Sequence, residues 1–190
     1  MTMSIDHKIY NAGFRPELFA VKAEKESDDD GLPPVHLWNP DFCGNIDIRI
    51  RRDGSWDYMG TPITRERMVK LFSTILRRDG DDYFLFTPFE KVGIKVDDAP
   101  FVAVEMELKD DHIYLRTNVD DYVKVDKEHP IHVTFNKESG EPSPYVRVRD
   151  RLDALLNRSV YYQLAALAIE RDGKYGIMSG NDFFVIGTVE

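Results

Sequence analysis

Hydrophobic and polar positions first alternate cleanly at Ile46, Ile48 and Ile50, interleaved with Asp47, Arg49 and Arg51. A period of two is that of a half-buried strand. Asp53-Gly54 follows as a hairpin turn, since glycine accepts the positive φ of a tight connection. Trp56 and Tyr58 then alternate in a second strand. From about Arg65 to Arg77 the period changes to that of a helix, with Met68, Leu71, Phe72, Ile75 and Leu76 on one stripe. Arg77 and Arg78 fall in its last predicted turn, where cations complement the helix dipole, and Asp79-Gly80 ends it. Tyr83 to Phe86 and Val92 to Val96 read as two further strands.

A comparable order recurs downstream. Phe101 to Leu108 and Ile113 to Thr117 form an added hairpin turning at Asp110-Asp111. Ile131, Val133 and Phe135 alternate, Ser139-Gly140 turns, and Tyr145, Val146 and Val148 return. Asp150 is then the expected N-cap of a long helix with a stripe through Leu152, Leu155, Leu156, Val160, Leu164, Leu167 and Ala168. Arg171-Asp172-Gly173 closes that helix, and Tyr175 to Met178 and Phe183 to Ile186 supply the last strands. Both halves thus read strand–strand–helix–strand–strand. The predicted fold is α+β, with two domains carrying this repeated motif in mainly antiparallel curved sheets, each packed on a helix. The expected organisation is an N-terminal arm at 1–34, an α+β domain at 35–96 and a second at 97–190. Within the arm, Glu17 to Lys25 has the composition for one or two helical turns, and the charged run Glu26-Ser27-Asp28-Asp29-Asp30-Gly31 reads as a solvated connection.

Composition narrows the class. The chain has 190 residues and a net charge of −9, which opposes nucleic-acid binding because that binding rests on Lys and Arg neutralising phosphates. A single cysteine, Cys43, excludes an intrachain disulfide and fits the reducing cytoplasm. No apolar run suits a signal peptide or a membrane span, so no membrane association is expected.

The chemistry on offer is sparse. No phosphate-binding glycine loop, nucleophile elbow or zinc-protease helix motif is present, so no catalytic residue and no cofactor are assigned. His129 and His132 have metal-like spacing but straddle Pro130 at a strand start, where residues three apart point to opposite faces; no metal site is expected. Arg49 with Arg51, and Arg147 with Arg149, each share a strand face, and forked guanidinium donors suit carboxylate or phosphate. The competing reading pairs them across the sheet with Asp or Glu. Trp38 and Trp56 mark a partner surface if exposed and core if buried. His36, Cys43 and Asp47 complete the set of candidates for ligand or partner binding, together with Arg49, Arg147, Arg149, Trp38 and Trp56.

Several stretches also carry a family likeness. They are Leu32-Pro33-Pro34-Val35-His36-Leu37-Trp38-Asn39-Pro40, Cys43-Gly44, Ile46-Asp47-Ile48, Asp53-Gly54-Ser55-Trp56-Asp57-Tyr58 and Gly60-Thr61-Pro62-Ile63. The likeness continues through Thr87-Pro88-Phe89-Glu90-Lys91, Asp98-Ala99-Pro100-Phe101, Thr117-Asn118, Tyr145-Val146, Arg149 and Tyr161-Tyr162. In these the chain resembles the uncharacterised bacterial family known as domain of unknown function 1285. The resemblance implies a two-domain α+β protein with repeated motifs, no established enzymatic activity and a suggested role in signalling or protein interaction. The expected function is therefore a non-enzymatic binding or regulatory protein, partnered by another protein or a small anionic ligand. The alternative is a small-molecule-binding enzyme with its site between the two domains.

Overall fold

Alternation at Ile46, Ile48 and Ile50 buries all three on one side of β1 (Phe42–Ile50), and this strand organises the first unit of a computed structural model. The structure describes residues 14–25 and 32–188. The chain divides into two compact units, 1–97 and 98–190.

In the first unit β1 turns at Gly54 (φ +85°) into β2 (Trp56–Tyr58) and then β3 (Thr61–Pro62). Helix α2 (Glu66–Thr74) leads to β4 (Leu76–Asp79), β5 (Asp82–Phe86) and β6 (Lys91–Val96). The strands form one sheet in the order β3-β2-β1-β6-β5-β4, antiparallel except for the parallel β1–β6 pair at its centre. Its inner face buries Ile46, Ile48, Ile50, Trp56, Leu85 and Val92, and Phe72 of α2 lies against Trp56. Helix α1 (Pro16–Lys25) precedes all this, and it is more than a solvated arm: it packs on α2 and buries Phe19 and Ala23. The charged run 26–31 lies outside the described residues.

The second unit contains β7 (Phe101–Lys109), β8 (His112–Thr117), β9 (Tyr122–Lys124), β10 (Ile131–Phe135), β11 (Pro142–Arg149) and β12 (Leu152–Leu156). Helix α3 (Arg158–Ala166) leads to a three-stranded sheet of β13 (Ile169–Arg171), β14 (Lys174–Ser179) and β15 (Asp182–Thr188). Val160 and Leu164 of α3 are buried, and the helix packs on β7 and β14.

The repeat is present in both units as three strands, a helix and three strands, in curved sheets. In the first it is β1–β3, α2 and β4–β6; in the second, β10–β12, α3 and β13–β15. As β1 lies beside β6, so β10 lies against β15. A second regularity overlaps it. The order β9-β8-β7-β12-β11-β10, with a parallel β12–β7 pair at its centre, reproduces the connectivity of the first sheet without a helix between its halves.

Two helix boundaries differ from the sequence expectation. The first helix ends at Thr74, and Leu76 to Asp79 is a strand whose Leu76 faces Leu85 across the ladder. The long helix expected from Asp150 is strand β12 followed by a shorter helix capped by Asn157, whose side chain accepts from the Val160 N–H. Leu152, Ala154 and Leu156 are buried while Asp153 and Leu155 are not, a strand period. Leu152, Leu155 and Leu156 are spaced for a helix as well, and pairing with β11 and β7 decides between the two. The Arg-Asp-Gly triplets accordingly lie at hairpins rather than helix ends: Gly80 (φ +64°) between β4 and β5, and Asp172 and Gly173 (φ +52° and +72°) between β13 and β14.

Candidate functional site

The outer face of the first unit's sheet gathers aromatic, cationic and acidic side chains. Because Ile46, Ile48 and Ile50 point inward, the intervening positions of β1 point outward, and register carries that face across the sheet. Phe42 pairs with Lys91, Asn45 with Gly93 and Arg49 with Lys95. On the far side Phe86 pairs with Lys91, Phe84 with Gly93 and Arg77 with Phe84. Phe42, Asn45, Arg49, Arg77, Asp79, Phe84, Phe86, Lys91 and Lys95 therefore share one surface.

Its centre is an aromatic floor carrying two cations and one carboxylate. Phe42 meets Phe84 edge-on at 5.9 Å, and Phe84 meets Phe86 at 6.3 Å. The Arg77 guanidinium lies 3.7 Å from the Phe86 ring centroid, and the Lys91 ammonium 4.1 Å from that of Phe84. Arg77 donates through Nε and Nη2 to the two Asp79 oxygens, at 2.9 Å each, and Lys91 donates to Asp79 at 2.8 Å. The bidentate hydrogen bond from Arg77, aided by Lys91, holds the Asp79 carboxyl below the ordinary carboxylate range. Arg77 Nη1 also donates to the carbonyls of Val35 and Trp38, 2.9 Å each. One guanidinium thus ties the 3-10 turn Val35–Leu37 to the sheet and uses the planar fork that lysine lacks.

A side chain at Gly93 would have to displace the Asn45 amide. A Cβ there would lie 2.0 Å from Asn45 Oδ1 and 3.6 Å from the Phe42 ring, so the Asn45 amide occupies the space above it. Three exposed apolar side chains lie on the segments that adjoin this floor in sequence. Phe42 opens β1 and is 47% exposed; Leu37, in the turn held by Arg77, is 72% exposed; Phe89, in the β5–β6 connection, is 76% exposed. The connection around Phe89 is rigid, because the buried Thr87 hydroxyl accepts from the N–H groups of Phe89 and Glu90 and the Thr87 N–H donates to Glu90 O.

The sequence-derived candidates divide. His36 and Trp38 belong to the turn beside this face, Trp38 half-buried and its carbonyl engaged by Arg77. Cys43 is half-buried on β1, its thiol 3.5 Å from the Asp41 carbonyl. Asp47 is exposed on the same strand. Arg49 and Arg51 do share a face, but each meets an internal carboxylate: Arg49 chelates Asp97 at 2.8–3.0 Å, and Arg51 pairs with the buried Asp57. Hydrogen bonding within the Arg49–Asp97 pair raises the arginine pKa and lowers that of the carboxyl. Trp56 is 1% exposed and belongs to the core, so it presents no surface.

In the second unit Arg147 and Arg149 do not share a site. A register shift between them pairs Arg147 with Asp153 and Arg149 with Leu152. Arg147 then bonds Asp153 and the Asp150 carbonyl, while Arg149 bonds Asp121 and lies 5.0 Å from the Phe101 ring centroid. A bulge cannot be read from alternation alone. His129 and His132 also part: His129 Nδ1 is 3.1 Å from the Arg147 carbonyl, whereas His132 stacks on Tyr145 at 5.3 Å. Burial and a hydrogen bond to Asp98 raise the Tyr145 hydroxyl pKa. Among the described residues no cluster of three His, Cys, Asp or Glu is placed to hold a metal ion, and no helix is long and apolar enough to cross a membrane.

Arg77, Asp79 and Lys91 do not stand out in the sequence, because the spacing through Leu76 suits a helix that would carry Arg77 away from Phe86 and Lys91. The period-two spacing of Phe84 and Phe86, opposite Lys91, was the signal available for this face.

Two family models match in succession: the N-terminal domain of DUF1285, a domain of unknown function, at residues 33–99, and its C-terminal domain at residues 100–186. The chain belongs to the DUF1285 family. Among solved structures it is similar to a DUF1285 family protein from Silicibacter pomeroyi DSS-3, with 46% identity and a TM-score of 0.83 over 90% of this chain and 95% of that one. It is also similar to a DUF1285 family protein from Shewanella baltica OS155, with 30% identity and a TM-score of 0.51 over 61% of this chain and 87% of that one. No functionally curated protein matches. The first DUF1285 model spans the outer face from the Val35–Leu37 turn through Lys91, and leaves α1 outside it.

Proposed function

We propose that this protein is a non-enzymatic binding or regulatory protein of the bacterial cytoplasm, acting in signal transduction by docking a partner protein on the outer face of the first unit's sheet. The observation that carries the reading is the rigid presentation of Phe89, with Phe42 and Leu37 at the same end of the sheet. Phe42 faces Lys91 across the ladder, Phe89 precedes Lys91 by two residues, and Leu37 lies between the two carbonyls that Arg77 holds. Exposed aromatic anchors on a preorganised floor match the composition of interface hot spots, and rigidity lowers the entropy lost on docking. Arg77 and Lys91 are already bonded to Asp79, so the cations shape the floor and the apolar side chains supply the contact. The engagement of Arg49, Arg147 and Arg149 by internal carboxylates favours a protein partner over a small anion.

The test is retention of native partners by the immobilised protein, comparing wild type with Phe89→Ser, Leu37→Ser and a control, Phe135→Ser, on the second unit. Phe89→Ser should lower retention about tenfold or more, as loss of a hot-spot side chain does, with an unchanged melting temperature. Phe135→Ser should retain like wild type. Equal retention by Phe89→Ser and wild type would remove the face from consideration.

A further inference from the structure

β13 (Ile169–Arg171) is the outer strand of the second unit's three-stranded sheet, and all of its residues are exposed. It pairs with β14 alone, through a turn in which Asp172 and Gly173 both take positive φ. Such a turn makes Arg171 and Lys174 the closing hydrogen-bonded pair, so the next residue inward, Glu170, directs its N–H and C=O to the free edge. Both edges of the first unit's sheet are blunted by comparison. β3 ends it with Pro62 on one side, and the Val35–Leu37 turn packs against β4 on the other.

Ile169 and Arg171 point to one side of this sheet and Glu170 to the other. Ile169 is 48% exposed opposite Gly176, which in turn faces Val185, 38% exposed. A Cβ on Gly176 would come within 2.4 Å of the Phe183 ring, so that ring lies over bare backbone, and the Arg171 guanidinium is 5.8 Å from its centroid. Arg49, Arg77, Arg78, Arg116, Arg147 and Arg149 also lie on strands, and each bonds a carboxylate. Among the described residues Arg171 bonds none, and the Phe183 ring is its contact. The edge thus offers backbone groups, an apolar position and a cation still without a counter-charge.

We propose that β13 is an interaction edge at which an extended segment of a partner protein adds as an antiparallel strand, selected by its charge pattern. Residues directly opposite in a ladder share a face, and unlike charges there are favourable. The occupant therefore carries an acidic residue opposite Arg171, a basic one opposite Glu170 and an apolar one opposite Ile169, which reads Glu-Lys-Val along its own chain. A second copy of this chain does not supply that pattern. Two-fold antiparallel pairing keeps every residue on its own face, which sets Glu170 against Glu170 or Arg171 against Arg171. Centring the axis on Ile169 would need Leu167 and Ala168 as strand, whereas their N–H groups bond back to Leu164 and Ala165 of α3. This edge belongs to the second unit, and its failure would leave the reading of the first unit's outer face standing.

The probes are two peptides, Thr-Thr-Glu-Lys-Val-Thr-Thr and its charge-swapped counterpart Thr-Thr-Lys-Glu-Val-Thr-Thr, titrated into the isotopically labelled full chain and followed by backbone amide shifts. The first should move the amides of Ile169, Glu170 and Arg171 saturably, and bind about tenfold more tightly than the second, because two favourable cross-strand pairs replace two like-charge ones. The double variant Glu170→Lys, Arg171→Glu changes exposed side chains alone and should invert that preference. No saturable shift at β13, equal binding of the two peptides, or a preference that survives the double variant would overturn the proposal. So would amide shifts at β13 that follow protein concentration without peptide, since these would make a second copy the occupant.

Discussion

Arg77 is the residue on which most of the candidate surface depends, since it bonds Asp79, two backbone carbonyls and the face of Phe86. Arg77→Ala leaves Asp79 to Lys91 and removes the guanidinium donor from the carbonyls of Val35 and Trp38, of which Val35 keeps the Trp38 N–H. A loss of about 2–4 kcal/mol is expected in urea unfolding, at the level of several charge-assisted hydrogen bonds. Arg77→Lys keeps the charge but not the fork and should recover less than half of that. Asp79 adds a pH dependence with a definite sign. Its folded pKa lies below the unfolded value of about 3.9, so its stabilisation is complete above that value and is lost as pH falls through the folded one. Asp79→Asn should therefore flatten the acid limb of a melting-temperature profile; an unchanged limb would assign that acid sensitivity to Asp97 or Asp53, whose carboxyls are lowered likewise. Trp56 presents a different contrast, because its buried indole N–H has no hydrogen-bond partner among the described residues. Trp56→Phe should be much milder than Trp56→Ala, for which about 3–5 kcal/mol is expected.

Among the elements, those with plain alternation and a turn dipeptide could be read directly. β1, β2, β5, β6, β7 and β8 fall where Ile46–Ile50, Trp56–Tyr58, Tyr83–Phe86, Val92–Val96, Phe101–Leu108 and Ile113–Thr117 placed them. β12 could not be, because Leu152, Leu155 and Leu156 satisfy two periods and only the neighbouring strands choose between them. The strand reading separates adjacent leucines that a helical stripe would group. Leu156→Ala should cost about 2–5 kcal/mol, whereas Leu155→Ala, on the other side of the strand, should cost clearly less. Leu164 remains buried on α3, and Leu164→Ala should fall in the same range as Leu156→Ala by thermal or chemical unfolding. The candidate site was less legible than the fold. Same-face arginines can be seen along a strand, but Asp97, 48 residues from Arg49, is brought to it only by the parallel β1–β6 pair. The bulge that parts Arg147 from Arg149 leaves no trace in the spacing of either.

At the scale of the whole chain, one three-stranded meander serves two regularities in the second unit. β10–β12 opens the strand–helix–strand repeat and also completes the six-stranded connectivity first seen in β1–β6. The order of elements shows the first regularity, and the second emerges only from which strands pair. The same distinction applies to function. Family membership assigns the architecture, while the proposed binding role rests on a surface that the pairing of distant strands assembles. That claim is tested most directly by placing a photo-crosslinking phenylalanine analogue at position 89, and in parallel at 135 and 122, in cells that make the protein natively. The account predicts a discrete crosslinked protein species from position 89 that is absent from 135 and 122. No crosslinked species at 89, or the same species at all three positions, would contradict it.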